Sequence, residues 1–127
     1  NATVSDYQYN KKLVSINKDI LKDKNLWFLG AQELLKVESK TFDIVINVFS
    51  FQEMSTEQVK GYFDIIDKTA RGGFLYLREL WTGDTHGHES STISGYPDYP
   101  FKEKWDKLYL RNTRFSKDFF DTVYKIK

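Results

Sequence analysis

Phe42-Asp43-Ile44-Val45-Ile46-Asn47-Val48-Phe49 is the stretch on which the fold turns. Ile44, Val45 and Ile46 are consecutive and β-branched, and such side chains pack well on a pleated surface. A run that does not alternate with polar residues predicts a buried strand, covered on both faces as in a parallel sheet. Downstream, Ser55-Thr56-Glu57-Gln58 fits a capping box, with Ser55 at the N-cap and Gln58 at N3. Val59, Tyr62, Phe63, Ile66 and Ala70 follow at helical spacing. Arg71-Gly72-Gly73 then ends the helix with a glycine available for a left-handed cap. Phe74-Leu75-Tyr76-Leu77 reads as a second buried strand. Phe42 to Leu77 is therefore one strand–helix–strand unit, and such crossovers pair their strands in parallel.

The flanks are read outward from that unit. Residues from about Ser5 to Lys22 predict a helix, with Ser5 or Asp6 as N-cap. A strand at Leu13–Ile16 is the rival, because Val14 and Ile16 are β-branched. Leu26-Trp27-Phe28-Leu29, ending at Gly30, reads as a short buried strand, and Ala31–Val37 as a turn or short helix. Residues 82–104 hold Gly83, Gly87, Gly95, Pro97 and Pro100 among polar residues, which predicts a long loop. Lys107–Leu110 and Phe119–Ile126 are strand candidates, and the short link Arg111–Asp118 predicts an antiparallel pair, with a helical turn started by Ser116.

The chain has 127 residues, enough for one domain of ordinary size. Nineteen basic and 18 acidic residues leave a net charge of +1, with no block of five like charges, so nothing recommends a nucleic-acid partner. No apolar run is long enough to span a bilayer and no signal peptide pattern is present, which predicts a cytoplasmic protein. Disulfides and thiolate metal sites are excluded by the absence of cysteine. Ten Phe, eight Tyr and three Trp make an aromatic-rich core or a surface on which a sugar can stack. A chain opening on Asn1 is expected to be a piece of a longer protein.

The predicted order of helix, strand, turn, strand, helix, strand, long loop, strand, strand resembles the second half of a class I S-adenosylmethionine-dependent methyltransferase. In that Rossmann-like α/β fold the final strand runs antiparallel, inserted beside the fifth. Glu38-Ser39-Lys40-Thr41-Phe42-Asp43 looks like the approach to the fourth strand, and Ser50-Phe51-Gln52-Glu53-Met54 like the turn that follows it. Arg71-Gly72-Gly73-Phe74 resembles the entry to the fifth strand. A narrower resemblance is to a group of bacterial sugar O-methyltransferases. It is carried by Phe49–Met54, by Tyr96-Pro97-Asp98-Tyr99-Pro100-Phe101-Lys102-Glu103-Lys104-Trp105, and by Phe119–Ile126. The resemblance covers most of residues 7–127 and makes the chain a single partial domain. The family's glycine-rich loop departs: none of the seven glycines forms a G-x-G-x-x-G-like cluster.

The resemblance implies transfer of a methyl group from S-adenosylmethionine to a sugar or glycoconjugate hydroxyl, beyond the carboxyl ends of the strands. It assigns Gln32, Asn47, Phe49 and Ser50 to the cofactor, with Gln32 meeting the adenine, and Gln52, Arg78, Glu79 and Trp81 to the acceptor. Glu53, His86 and His88 are the candidate general bases, because a sugar hydroxyl is a poor nucleophile. Each has a plainer reading. Gln32 can cap its turn, Glu53 can be a carboxylate favoured near a helix N-terminus, Trp81 can be packing, and the histidines can be solvated loop residues. His86-Gly87-His88-Glu89 with Asp84 also carries metal-ligand chemistry, but two histidines one residue apart in a loop do not define a site, and no metal is assigned. The other expectations are a non-catalytic α/β binding or assembly domain, or a nucleotide-binding domain of another chemistry. A truncated sheet edge also predicts self-association.

Overall fold

The chain is seen in a computed structural model that describes residues 15–22, 28–81, 93 and 95–127. Of the helix expected over 5–22, residues 5–14, with the expected caps Ser5 and Asp6, lie outside the described residues, and Ser15–Asn17 are not helical. Asn17 caps a short α1 (Lys18–Leu21), its side-chain oxygen accepting from the Asp19 and Ile20 amides. Ile16, fully buried, makes a lone parallel bridge to the equally buried Val37. Leu26 and Trp27 lie outside the described residues, and Phe28 and Leu29 are not in a strand. Phe28 is 64% exposed, and the chain passes directly into a 3-10 turn at Ala31–Lys36.

The central unit follows its sequence closely. β1 (Ile44–Val48) leads through a 3-10 turn at Phe51–Glu53 to α2 (Thr56–Thr69), and α2 leads to β2 (Phe74–Leu80). The capping box is complete: Ser55 Oγ accepts from the Gln58 amide and Gln58 Oε1 from the Ser55 amide. At the far end Gly72 takes φ +85°, a left-handed value that favours glycine. Gly73 is required for a different reason. A Cβ there would lie 2.5 Å from the Asp43 carbonyl oxygen, where the chain entering β1 meets the chain entering β2.

β3 (Asp106–Asn112) and β4 (Phe119–Lys125) complete a four-stranded sheet of order β1-β2-β4-β3. β1 and β2 are parallel, from Ile44 beside Phe74 to Val48 beside Arg78. β4 runs antiparallel to both β2 and β3, so the last strand in sequence sits in the interior of the sheet. The architecture is α/β with a mixed sheet. The link between β3 and β4 is a turn rather than a helical one, held by Thr113 Oγ1, which donates to the Ser116 carbonyl and accepts from the Ser116 amide. Within the predicted loop 82–104, a 3-10 turn forms at Tyr96–Asp98, and Ile93, Tyr99 and Trp105 are buried.

The core lies on one face of the sheet. Val59, Phe63, Ile66 and Ala70 of α2 and its C-cap meet Leu75, Leu77, Phe120 and Tyr124. Phe63, fully buried, stacks on Trp105 at 5.7 Å and lies against Phe101 at 5.4 Å and Phe51 at 5.7 Å. The aromatic excess is therefore largely core. The expectation of a strand buried on both faces is corrected for β1. Val45 packs on the core, but Ile44, Ile46 and Val48 are 55%, 63% and 42% exposed. α2 shields one face, and among the described residues no element covers the other. Nor is any helix among the described residues long and apolar enough to cross a membrane.

Candidate functional site

The parallel pair β1 and β2 ends in a structured turn. Phe49 adopts φ +58°, uncommon for a bulky residue, and its amide donates to the Arg78 carbonyl at 3.0 Å as the last rung of the pair. Its ring rests edge-on against Phe119, centroids 4.8 Å apart. The chain then closes a single 3-10 turn, with Glu53 N–H donating to the Ser50 carbonyl and Met54 N–H to the Phe51 carbonyl. Phe51 turns into the core, 3% exposed.

The first amides of this turn need an acceptor, and Ser50 supplies no side-chain cap. Glu79 of β2 supplies it. Its Oε1 accepts from the Ser50 amide at 3.2 Å and the Phe51 amide at 3.1 Å. Glu79 is fully buried on the core face, two residues beyond Leu77. Burial pushes its carboxyl up to about 7, against the opposing pull of the Phe51, Ser50 and Gln52 amides and with a further push from the Glu53 charge. Burial, and after it the Glu79 charge, raises the Tyr99 phenol.

Four buried side-chain atoms have no hydrogen-bond partner among the described residues: Glu79 Oε2, Asn47 Oδ1, Gln52 Oε1 and Trp81 Nε1. Asn47 lies on the core face of β1 and its Nδ2 donates to Ser50 Oγ. Gln52 Nε2 reaches Glu53 Oε1 at 3.3 Å. Asn47, Ser50, Gln52 and Glu79 are thus gathered at the carboxyl ends of β1 and β2. Three of the four orphaned atoms are acceptors, and leaving a buried acceptor unmet costs about 1–3 kcal/mol.

Other expected site residues fall elsewhere. Glu53 is on the turn but exposed. Arg78 points to the opposite face from Glu79 and is engaged there: Nε lies 2.6 Å from Asp121 Oδ1 and Nη2 3.2 Å from Oδ2. Tyr76 donates to the same carboxylate at 2.9 Å, and Arg111 approaches it at 3.8 Å. The Arg78 bonds hold Asp121 below the usual carboxylate range despite its burial. Trp81 belongs to an aromatic cluster, 5.3 Å from Phe120 and 5.6 Å from Tyr96, while its main-chain amide donates to the Asp118 carbonyl. Gln32 is exposed on the Ala31–Lys36 turn and makes no cap there: the N-cap, Gly30, has no side-chain hydrogen bond. His86, His88, Asp84 and Glu89 lie outside the described residues.

Two expectations change with this geometry. Arg78 serves the sheet's open face rather than the Ser50–Glu53 turn, because alternation along β2 separates it from Glu79. Glu79 serves the turn's backbone from beneath instead of presenting itself at the surface. Sequence reasoning missed Asp121, which nothing short of strand register could have paired with Arg78. Glu79's role was signalled: Leu75 and Leu77 face inward, and period-2 alternation carries the next inward position to a carboxylate. No protein-family model and no curated protein sequence matches this chain.

Proposed function

We propose that the chain forms the carboxyl-terminal half of a Rossmann-like methyltransferase domain that transfers a methyl group from S-adenosylmethionine to a sugar or glycoconjugate hydroxyl. The observation that carries the reading is topological. Strand order β1-β2-β4-β3, a parallel first pair and an antiparallel last strand inserted beside β2 are the arrangement that the sequence resemblance implies. The Ser50–Glu53 turn lies beyond the carboxyl ends of the parallel pair, where open α/β sheets take ligands.

Phe49 and Ser50 would hold the near side of the cofactor, and Asn47 the boundary between cofactor and acceptor. The unpartnered Asn47 Oδ1 suits a hydroxyl or amino donor, and Phe49 offers an exposed ring. The cofactor supplies the electrophilic methyl carbon. Gln52 and Glu79 lie on the side left for the acceptor, and the turn's task is to hold that hydroxyl aligned. The proposed partners also include a second copy of the chain, paired along the outer edge of β1, which among the described residues has only β2 as a neighbour.

Retention of radiolabelled S-adenosylmethionine on the natural gene product tests the reading. Binding that competes with S-adenosylhomocysteine is the expected result. A gene product that is folded and retains no label overturns the methyltransferase reading in favour of a non-catalytic α/β binding domain.

A further inference from the structure

The orphaned acceptors beneath the turn carry a consequence for the acceptor's chemistry, one that rests on the reading above. Asn47 Oδ1, Gln52 Oε1 and Glu79 Oε2 are buried oxygens without donors among the described residues, and the bonds of Asn47 to Ser50 and of Glu79 to the Ser50 and Phe51 amides bring two of them to the turn that carries Gln52. An apolar ligand would leave all three unmet. An anion would face a carboxylate. A group that brings hydroxyl donors meets them, and a hydroxyl can also accept from Trp81 Nε1, two residues beyond Glu79 on the same side of β2.

Glu79 is the one acid in this set, and its two oxygens are in different situations. Oε1 is committed to the Ser50 and Phe51 amides, which fixes the plane of the carboxylate. Oε2 is uncommitted. We propose that neighbouring hydroxyls of a polyol acceptor seat here, one donating to Glu79 Oε2 and others to the side-chain oxygens of Asn47 and Gln52, and that Glu79, rather than Glu53 or a histidine, takes the proton of the first. Gln52 is half-buried on the turn whose first amides bind the carboxylate.

The step balances as a displacement. The hydroxyl O–H bond breaks, its proton joins Oε2, and the electron pair left on oxygen forms the bond to the methyl carbon as the carbon–sulfur bond breaks. Burial suits Glu79 to the role, because a proton acceptor works best with a pKa near the operating pH. The charged and titratable groups turned toward it are Glu53 on the turn, whose charge favours the protonated form, and Tyr99 from the segment after the Tyr96–Asp98 turn, which stays a phenol. Arg78 and Asp121 are on the other face and neutralise each other.

The test is carbon-13 NMR of the side-chain carboxyl groups in the natural gene product, with the Glu79 signal assigned by its loss in Glu79→Gln. The probes are the methyl glycosides of glucose, galactose, mannose, rhamnose and N-acetylglucosamine. The expected result is a Glu79 carboxyl that titrates near 7 and moves when at least one glycoside is added, with that glycoside bound about tenfold more weakly by Asn47→Ala. Glu79→Gln keeps an acceptor for the Ser50 and Phe51 amides, so it should fold with its methyl transfer abolished. A Glu79 signal that no glycoside moves, or an active Glu79→Gln, overturns the proposal. Failure of the methyltransferase reading is seen separately: the label is not retained, yet a glycoside still moves Glu79.

Discussion

Glu79 illustrates how one residue governs a local structure from a distance in sequence. It sits at an inward position of β2 and caps a turn 28 residues upstream, where no side chain of the turn does so. Its folded pKa, raised to about 7 from an ordinary 4.5, has a definite sign for stability. The folded state holds the proton more tightly than the unfolded chain. Its contribution is therefore fully present below pH 4.5 and is lost as pH rises through about 7. Chemical denaturation between pH 5 and pH 8, roughly the window in which this group titrates, should show stability falling, and Glu79→Gln should flatten that slope. Asp121 acts in the opposite sense. Arg78 and Tyr76 favour its charged form, so its contribution is lost only as pH falls below the ordinary carboxylate range.

At the scale of elements, α2 and its junctions were the most legible part of the sequence. The Ser55–Gln58 capping box, the inward spacing of Val59, Phe63 and Ile66 and the left-handed Gly72 all follow from local chemistry. Gly73 is the tightest junction, since its Cα faces the Asp43 carbonyl across the entry to the parallel pair. Gly73→Ala should lower the denaturation midpoint by about 1–3 kcal/mol of stability, the usual cost of overpacking a closed site. Gly72→Ala should also destabilise, but through backbone strain rather than a clash, as no atom lies within 4 Å of its added Cβ.

β1 shows where legibility stopped. Ile44-Val45-Ile46 reads as a strand enclosed on both sides, because sequence reports apolar character and not which neighbour provides cover. Leu26–Leu29 reads as a strand for the same reason, yet Phe28 is largely exposed and Phe28 and Leu29 lie outside any strand. The site was legible only in part. Asn47, Gln52 and Glu79 were singled out through a family resemblance, whereas their common dependence on one carboxylate required the register of β1 on β2. The Arg78–Asp121 pair, 43 residues apart, is invisible to any local pattern.

For the whole molecule, the open face of the sheet is the dominant surface feature. Ile44, Ile46, Val48 and Phe74 are exposed at one side of it, and no strand among the described residues pairs with the outer edge of β1. Charged side chains on an edge strand oppose such pairing. Ile46→Lys should shift this chain toward monomer in sedimentation velocity. An unchanged sedimentation coefficient, at concentrations where the wild type associates, would remove β1 from the interface.

The place of β4 in the sheet reaches beyond the finished structure. It is made after β1, β2 and β3, yet it is the one that joins β2 to β3, and Phe120 at its start and Ile126 just past its end are fully buried. During synthesis, β1, α2 and β2 emerge with one flank of β2 bare, and β3 has nothing to lie against. Most of the sheet's pairing is long-range and waits for Phe119–Lys125 to leave the ribosome, a situation that slows folding and exposes strands to other chains. A nascent chain stalled before that segment is the form of this protein most in need of a chaperone.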